Sequence, residues 1–149
     1  MGRLSKIDSH KLAYIAGFLD GDGSVMLQIR KKDGKIIRVK TVICLYQDTR
    51  YRKELEWMKK MLGCGYVYDR NDRICELRIE GFKRVYDTLI LLKPYLRLKN
   101  KQAKLLLELI PKLQDKTVTK EKTTVWVKKM QGYNYYSSQR TILDVPVTT

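Results

Sequence analysis

The chain has 149 residues, 44% of them hydrophobic, with 31 Lys and Arg against 16 Asp and Glu, a formal charge of +15. This length and apolar content fit one domain with a buried core, and the charge indicates a polyanionic partner, either nucleic acid or a membrane surface. No apolar run approaches the roughly 18 residues that a membrane span requires, and the first residues lack the apolar segment of a secretory signal. Nucleic acid is therefore the favoured partner.

Cysteine usage argues against a disulfide framework or a zinc site. Cys44, Cys64 and Cys75 are odd in number and match no CxxC spacing, and His10 is the single histidine. We therefore expect a reduced, intracellular protein; the cysteines do not distinguish the cytoplasm of a prokaryote from an organelle.

The first predicted element is a helix from about His10 to Gly21, with Asp8 or Ser9 as its cap. Small residues four apart form a stripe along this helix: Ala13, Gly17 and Gly21. Such a stripe lets another backbone approach closely, although core helices of soluble proteins also carry such stripes by chance.

A long hairpin is predicted next, because the apolar period changes to two at Ser24. Asp33-Gly34 suits a two-residue turn, and beyond it the odd positions are expected to form one apolar face: Ile37, Val39, Thr41, Ile43 and Leu45. Nine basic residues lie between positions 28 and 53, against two acidic ones. The other face of the hairpin is thus expected to be cationic.

The remaining pattern predicts a helix that ends at Gly63, a second hairpin turning at Asn71-Asp72, and helices that stop near Pro94 and before Pro111. The segment TKEKTTVWVKKM is a plausible last helix, followed by a tail. We therefore predict one domain over 1–149, with a core of about 8–131 and a C-terminal tail over 132–149.

The predicted order is helix, hairpin, helix, hairpin, helix, then further helices, which indicates an α+β fold. Its four strands are expected to form one antiparallel sheet with helices on one face. The opposite face would be exposed and cationic. A strand pair rich in Arg, Lys, Gln and Tyr can enter a DNA major groove about 12 Å wide and reach base edges.

The stretch AGFLDGDGS places two carboxylates where the first helix ends. Carbonyls and the negative pole of the dipole meet at a helix C-terminus, so a carboxylate there favours a hard divalent cation. In a continuing helix Asp20 and Asp22 point about 200° apart, so the two cannot share one role.

The segment YIAGFLDGDGS resembles the signature helix of the LAGLIDADG homing endonucleases. GYVYDR, KPYLRLKNKQAKLLL and TTVWV are similar to later segments of the single-motif, intron-encoded members, in the same order. The sequence contains no second copy of the motif, and single-motif members act as homodimers. The resemblance therefore implies a pairing of two chains through the helix that carries Ala13, Gly17 and Gly21.

Matching the motif residue by residue implies that Asp22 is a catalytic residue through its role as metal ligand, with the Gly21 carbonyl beside it. Asp20 is then expected to form local hydrogen bonds. The same matching implies that Gln47, just past the second strand, positions the attacking water. It also implies that Lys99 offsets charge on the scissile phosphate or helps to polarise that water. Tyr51 stands where homodimeric relatives tend to have arginine; Arg52 or Arg50 could substitute, and we select Arg52.

Candidate DNA contacts come from the polar positions of the two hairpins, where Arg and Lys can read guanine, Gln adenine and Glu cytosine. They are Gln28, Arg30, Lys32, Arg38, Lys40, Tyr46, Tyr68, Arg70, Glu76 and Arg78.

The resemblance implies a site-specific DNA homing endonuclease that hydrolyses phosphodiester bonds with Mg²⁺ at a long, nearly palindromic target; Mn²⁺ or Ca²⁺ could substitute in binding. Two alternatives stay open: an RNA maturase that assists intron splicing, and a DNA-binding protein of the same fold that has lost cleavage. The expected partners are double-stranded DNA and a second copy of the chain. RNA is a weaker candidate partner, and a membrane is not expected.

Overall fold

Residues 7–116 and 119–134 of a computed structural model are described here. They form five α-helices and four β-strands in the predicted order. The elements are α1 (Ser9–Asp22), β1 (Gly23–Lys32), β2 (Lys35–Asp48), α2 (Arg52–Leu62), β3 (Tyr66–Asp69), β4 (Ile74–Glu80), α3 (Phe82–Leu92), α4 (Asn100–Gln114) and α5 (Lys120–Asn134). Single 3-10 turns precede α2 and follow α3.

The strands form one antiparallel sheet in the order β1-β2-β4-β3, which confirms the predicted α+β fold. Asp33 and Gly34 join β1 to β2 with φ angles of 52° and 76°, as a two-residue turn that follows strand twist requires. Central β2 pairs with β1 from Lys35 to Leu45 and with β4 from Val42 onward.

One face of the sheet builds the hydrophobic core. Ile43 and Leu45 of β2 and Leu77 of β4 are fully buried together with helix residues such as Ile15 and Leu19. Successive strand residues face opposite sides, so the positions between these core residues lie on the outward face of the sheet. The helices therefore leave the other face of the sheet available.

A bulge in β2 corrects the predicted alternation near the hairpin turn. Arg30 pairs with Arg38, but the next residue of β1, Lys31, pairs with Ile36, so Ile37 is an extra residue in β2. Ile37 is 54% exposed, and Ile36 packs against the core instead. The prediction that Ile37 belongs to the apolar face was wrong, because the inserted residue shifts the alternation by one position.

Two helices run further than their sequence patterns predict. Helix α4 continues through Pro111 to Gln114, so the predicted end before this proline was wrong. A proline removes one backbone donor, but Asp115 N still donates to the Pro111 carbonyl, and Leu113 packs against the core. The last turn is thus retained.

Helix α5 extends to Asn134, three residues into the predicted tail. Its end is held by three hydrogen bonds. Gln102 Nε2 donates to the Tyr133 carbonyl at 3.3 Å and to Asn134 Oδ1 at 3.1 Å, and Asn134 Nδ2 donates to the Val25 carbonyl at 3.2 Å. The rest of the predicted tail, 135–149, lies outside the described residues. Within the described ranges, no helix combines the length and the hydropathy needed to cross a bilayer.

Candidate active site and nucleic-acid interface

Helix α1 begins at the predicted cap, since Asp8 Oδ1 accepts from the His10 N–H at 2.7 Å. The helix ends where the backbone becomes extended at Gly23 and enters β1. A Cβ atom at Gly23 would lie 2.8 Å from the Cys44 carbonyl oxygen and 2.5 Å from Leu19 Cδ1. This glycine is therefore required for the close approach that fixes the end of α1 over β2.

Asp20 binds the loop that leads into α4. Its Oδ2 accepts from the Arg97 N–H at 2.7 Å and its Oδ1 accepts from the Lys99 N–H at 3.0 Å. Both carboxylate oxygens are thus used within the fold. This agrees with the local hydrogen-bonding role expected from the sequence, although the sequence did not identify the loop as the partner.

Asp22 is exposed at the last position of α1. Within the described part of the chain, no hydrogen bond or ion pair engages its carboxylate. Gly21, beside it, is also exposed. No group of three His, Cys, Asp or Glu side chains suited to a metal occurs among residues 7–116 and 119–134. One chain thus presents one free carboxylate at the negative end of a helix.

Lys99 lies next to this pair of acids. Its Nζ donates to the Asp20 carbonyl oxygen at 2.6 Å, and the side chain is half-buried. Burial lowers the pKa of Lys99, while the charges of Asp20 and Asp22 act in the opposite direction. The ammonium is therefore held beside the end of α1, on the side of Asp20.

Gln47 lies within β2, as the residue before its last one, and not just past the strand as predicted. Its Oε1 accepts from the backbone N–H of Asp48 at 2.8 Å. This bond uses the amide oxygen and orients the amide, which leaves the Nε2 donor directed away from that contact.

The two candidate arginines have different surroundings. Arg52 donates from Nη1 to Asp69 Oδ1 at 2.7 Å and from Nη2 to the Val67 carbonyl at 3.0 Å, so it joins α2 to β3. Arg50 is 77% exposed and pairs with Asp48 at 3.0 Å. Arg52 thus has a structural role in the fold, whereas Arg50 is the more available cation.

The small-residue stripe of α1 is solvent-exposed. Ala13, Gly17 and Gly21 are all exposed, whereas the opposite side of the helix is buried through residues such as Ile15 and Leu19. A Cβ atom added at Gly17 or Gly21 would meet nothing within 4 Å. The fold of one chain therefore does not explain why these two positions are glycine.

The outward face of the sheet and the first turn carry most of the predicted nucleic-acid contacts. Arg30, Lys32, Arg38 and Arg70 are exposed; Gln28, Lys40, Tyr46, Tyr68 and Arg78 are partly exposed. Tyr46 is hydrogen-bonded to Ser24 at 3.1 Å, and the Arg70 guanidinium lies 6.0 Å from the Tyr46 ring centre. Glu76 differs from these, because it is only 4% exposed.

A connected set of polar side chains, here called the sheet-face network, crosses all four strands at the centre of this face. Its members are Gln28, Cys44, Tyr66, Tyr68, Glu76, Arg78 and Glu80. Glu76 accepts from the Tyr68 hydroxyl and lies 3.5 Å from Arg78 Nη1. Its burial and these partners argue against the direct DNA contact that the sequence predicted for Glu76.

Sequence reasoning did not select Tyr66 and Glu80 as site residues. Arg78 Nε donates to Glu80 Oε1, and the Tyr66 hydroxyl donates to the same oxygen at 3.4 Å. The period-two pattern of β4 already placed Glu80 on the face of Glu76 and Arg78, so the signal was present. The cationic sheet face and the free carboxylate together define a nucleic-acid-binding protein with a candidate metal site.

Comparison with known proteins supports the same class. A family model described as LAGLIDADG endonuclease matches residues 15–110. The DNA endonuclease I-CvuI of Chlorella vulgaris is 39% identical over 108 residues, covering 71% of this chain and 67% of that protein. The DNA endonuclease I-CreI of Chlamydomonas reinhardtii is 30% identical over 142 residues, covering 92% and 86%.

A crystal structure of I-CvuI in complex with its target, in the presence of Ca, superimposes with a TM-score of 0.77. The aligned residues are 33% identical and cover 89% of this chain and 87% of that one. The chain belongs to the LAGLIDADG endonuclease family. This confirms the family and fold expected from the signature helix.

Proposed function

We propose that the protein is a site-specific DNA endonuclease that acts as a homodimer and uses a divalent metal ion. The proposal rests first on Asp22, a carboxylate at a helix C-terminus that is exposed and unpaired in the described chain, while Asp20 is used by the fold. The family supports the chemistry, since I-CvuI and I-CreI are DNA endonucleases.

The open stripe on α1 supports the homodimer. Gly17 and Gly21 lie on an exposed side of the helix with room for a Cβ atom, so their small size fits the close approach of a second helix. Contact between two copies along this stripe would bring two Asp22 carboxylates together. Two identical chains related by a twofold axis read inverted repeats, which accounts for a nearly palindromic target.

The donor atoms at this position fit a hard cation. The Asp22 carboxylate and the Gly21 carbonyl supply oxygen ligands, as Mg²⁺ prefers, and Mn²⁺ or Ca²⁺ can replace it in binding. When bound there, such a cation activates water and stabilises the leaving oxygen of a phosphodiester. Structures of I-CvuI with DNA were determined in the presence of Ca and of Mg.

The neighbouring side chains fit supporting roles at the scissile phosphate. Lys99 brings an ammonium to the end of α1, where it can offset phosphate charge. Gln47 has its amide oxygen occupied, so Nε2 is the end that can orient water. Arg50 fits the basic role better than Arg52, because Arg50 is 77% exposed and, among the described residues, hydrogen-bonded to Asp48 alone, whereas Arg52 is 36% exposed and its guanidinium joins α2 to β3.

The outward sheet face fits the major groove of the target. Its exposed cations, Arg30, Arg38 and Arg70 among them, can neutralise phosphates or reach base edges. Binding is then expected to weaken linearly on a logarithmic salt scale, with a slope near −0.9 for each phosphate neutralised.

The decisive experiment exposes a plasmid library that carries candidate intron-insertion sites to the protein, with Mg²⁺ or with EDTA. We expect linearisation at one site with Mg²⁺ and none with EDTA. D22N should bind that site without cutting it, whereas the matched control D87N, in an ion pair with Lys83 on α3, should cut as the wild type does. Cutting by D22N at the wild-type rate would contradict the assignment of Asp22.

A further inference from the structure

Arg78 lies at the centre of the sheet-face network, and its two edges are held very differently. Its Nε donates to Glu80, which fixes one edge of the guanidinium. Its Nη2 contact with Gln28 Oε1 is 3.4 Å long, and its Nη1 lies 3.8 Å from Cys44 Sγ and 3.5 Å from Glu76 Oε1. Such long contacts are weak, and each Nη carries two hydrogens. The Nη edge of Arg78 is thus available to a ligand without loss of the bond to Glu80.

Glu80 supplies an acceptor next to this donor edge. Its side chain is 31% exposed, and its bonds to Arg78 and Tyr66 both use Oε1. Among the described residues, no bond engages Glu80 Oε2. The hydrogen bond from Arg78 holds the pKa of Glu80 below its usual value, so at neutral pH this side chain is a carboxylate that can only accept.

The chemistry of this patch differs from that of a simple phosphate-binding site. Glu76 and Glu80 contribute −2 and Arg78 contributes +1, while the charge of Lys40 also acts on Glu80 and helps to lower its pKa. The Glu80 carboxylate can only accept hydrogen bonds, so it cannot donate to a phosphate oxygen and it repels the phosphate charge. A donor fork with an adjacent acceptor instead matches the edge of a base pair in the major groove.

We propose that Arg78 and Glu80 together read one G·C base pair in each half of the target, with Arg78 donating to guanine O6 and N7 and Glu80 Oε2 accepting from the cytosine N4 amino group. This assignment rests on the proposed DNA endonuclease function. An A·T pair fits poorly, because thymine O4 would face the Glu80 carboxylate as a second acceptor.

Glu76 is the positioning residue of this pair. It is buried beneath the outward face, accepts from the Tyr68 hydroxyl and lies 3.5 Å from Arg78 Nη1. Tyr68 in turn stacks on Tyr66, with ring centres 5.7 Å apart, and Tyr66 donates to Glu80. Glu76 therefore supports Arg78 directly and Glu80 through the two tyrosines.

The test is a selection of duplexes bound in Ca²⁺ from a palindromic library with both half-sites randomised, followed by sequencing. Wild type should enrich G·C at the same position of both half-sites, and this preference should depend on Arg78 and Glu80. R78K keeps the charge but loses the fork, so the guanine preference at that position should fall about tenfold or more. E80Q, which is isosteric, should relax cytosine at the same position, and the control D87N should select as wild type does.

E76Q distinguishes positioning from simple structural support. We expect E76Q to reduce the G·C preference at this position less than R78K does, and to leave the base preferences at other positions unchanged. If R78K, E80Q and E76Q change only Tm or overall affinity and leave every positional preference intact, the assignment is overturned. If wild type selects no sequence at all, the proposed function fails, and this assignment fails with it. Should R78K not fold, E80Q alone decides.

Discussion

Two acidic regions of this basic protein differ in whether their carboxylates have hydrogen-bond partners within the chain. At the end of α1, Asp20 binds two backbone N–H groups, but Asp22 has no partner in the described chain. At the centre of the sheet face, both Glu76 and Glu80 are bonded to neighbouring side chains. The contrast indicates that the sheet face is organised before ligand binds, whereas the end of α1 keeps a carboxylate without a partner, as the proposed metal site of a dimer requires.

The test with the largest expected effect removes the charge of Asp22, the carboxylate without a partner in the described chain. D22N should lower the cleavage rate by more than about a thousandfold, equivalent to roughly 4 kcal/mol in the barrier, and leave Tm nearly unchanged. The measurement compares single-turnover cleavage and thermal unfolding. A large fall in Tm would show that Asp22 has a partner within the fold.

The second test asks whether the exposed stripe of α1 is the interface between two chains. G17L and G21L place side chains in space that is open in one chain, so we expect folded protein with a monomeric mass and with cleavage reduced at least about a hundredfold. Circular dichroism shows whether the variants fold, sedimentation gives their mass, and a cleavage assay gives their activity. Leu107→Ala, at a partly buried position on α4, serves as the control that alters packing without touching the stripe. A dimer that persists in both glycine variants would contradict the stripe as the interface.

The third test removes one carboxylate from the sheet-face network. E76A removes the acceptor of Tyr68 and one of the two carboxylates near Arg78, so the free energy of unfolding should fall by about 2 kcal/mol. Chemical unfolding gives the value. A change within about 0.5 kcal/mol, as we expect for D87A in its single i,i+4 pair with Lys83, would mean that the network adds little stability.

The fourth test concerns the paired acid beside Asp22. D20A removes the acceptor of the Arg97 and Lys99 N–H groups, and the unfolding free energy should fall by about 1.5 kcal/mol. Cleavage should also fall, because the loop that carries Lys99 loses its anchor. D20N retains one acceptor oxygen and should recover part of both losses; equal effects of D20A and D20N would contradict this explanation.

The smallest expected effect is a pH dependence. The folded-state pKa of Glu80 is lowered by the Arg78 hydrogen bond, so its stabilising contribution is present above the unfolded value near 4.5 and is lost as pH falls through the folded value. Unfolding free energies at pH 5 and pH 3 should differ less in E80Q than in wild type, by about 0.5 kcal/mol for this partly exposed pair. An equal pH dependence in both proteins would contradict the ion pair.

Local pattern alone predicted most of the architecture. The change from helical to period-two spacing at Ser24, the Asp33-Gly34 turn and the Gly63 helix end all lie where the sequence placed them. The sequence prediction was wrong at two places where packing, and not local sequence preference, determines the backbone conformation. Ile37 is displaced by a bulge, and α4 continues past Pro111 to a turn whose Leu113 packs against the core.

The sequence by itself determined the order of elements, the cationic outward face and the motif that ends in Asp22, because periodicity, charge and short-range spacing are local properties. Only the tertiary structure decided which acid is free, since the partners of Asp20 lie 77 and 79 residues away in the chain. It also decided that Glu76 is buried and that Arg78 is shared with Glu80 and Gln28. Whether a polar side chain is satisfied depends on the strands and loops that fold against it, and no local pattern specifies those neighbours.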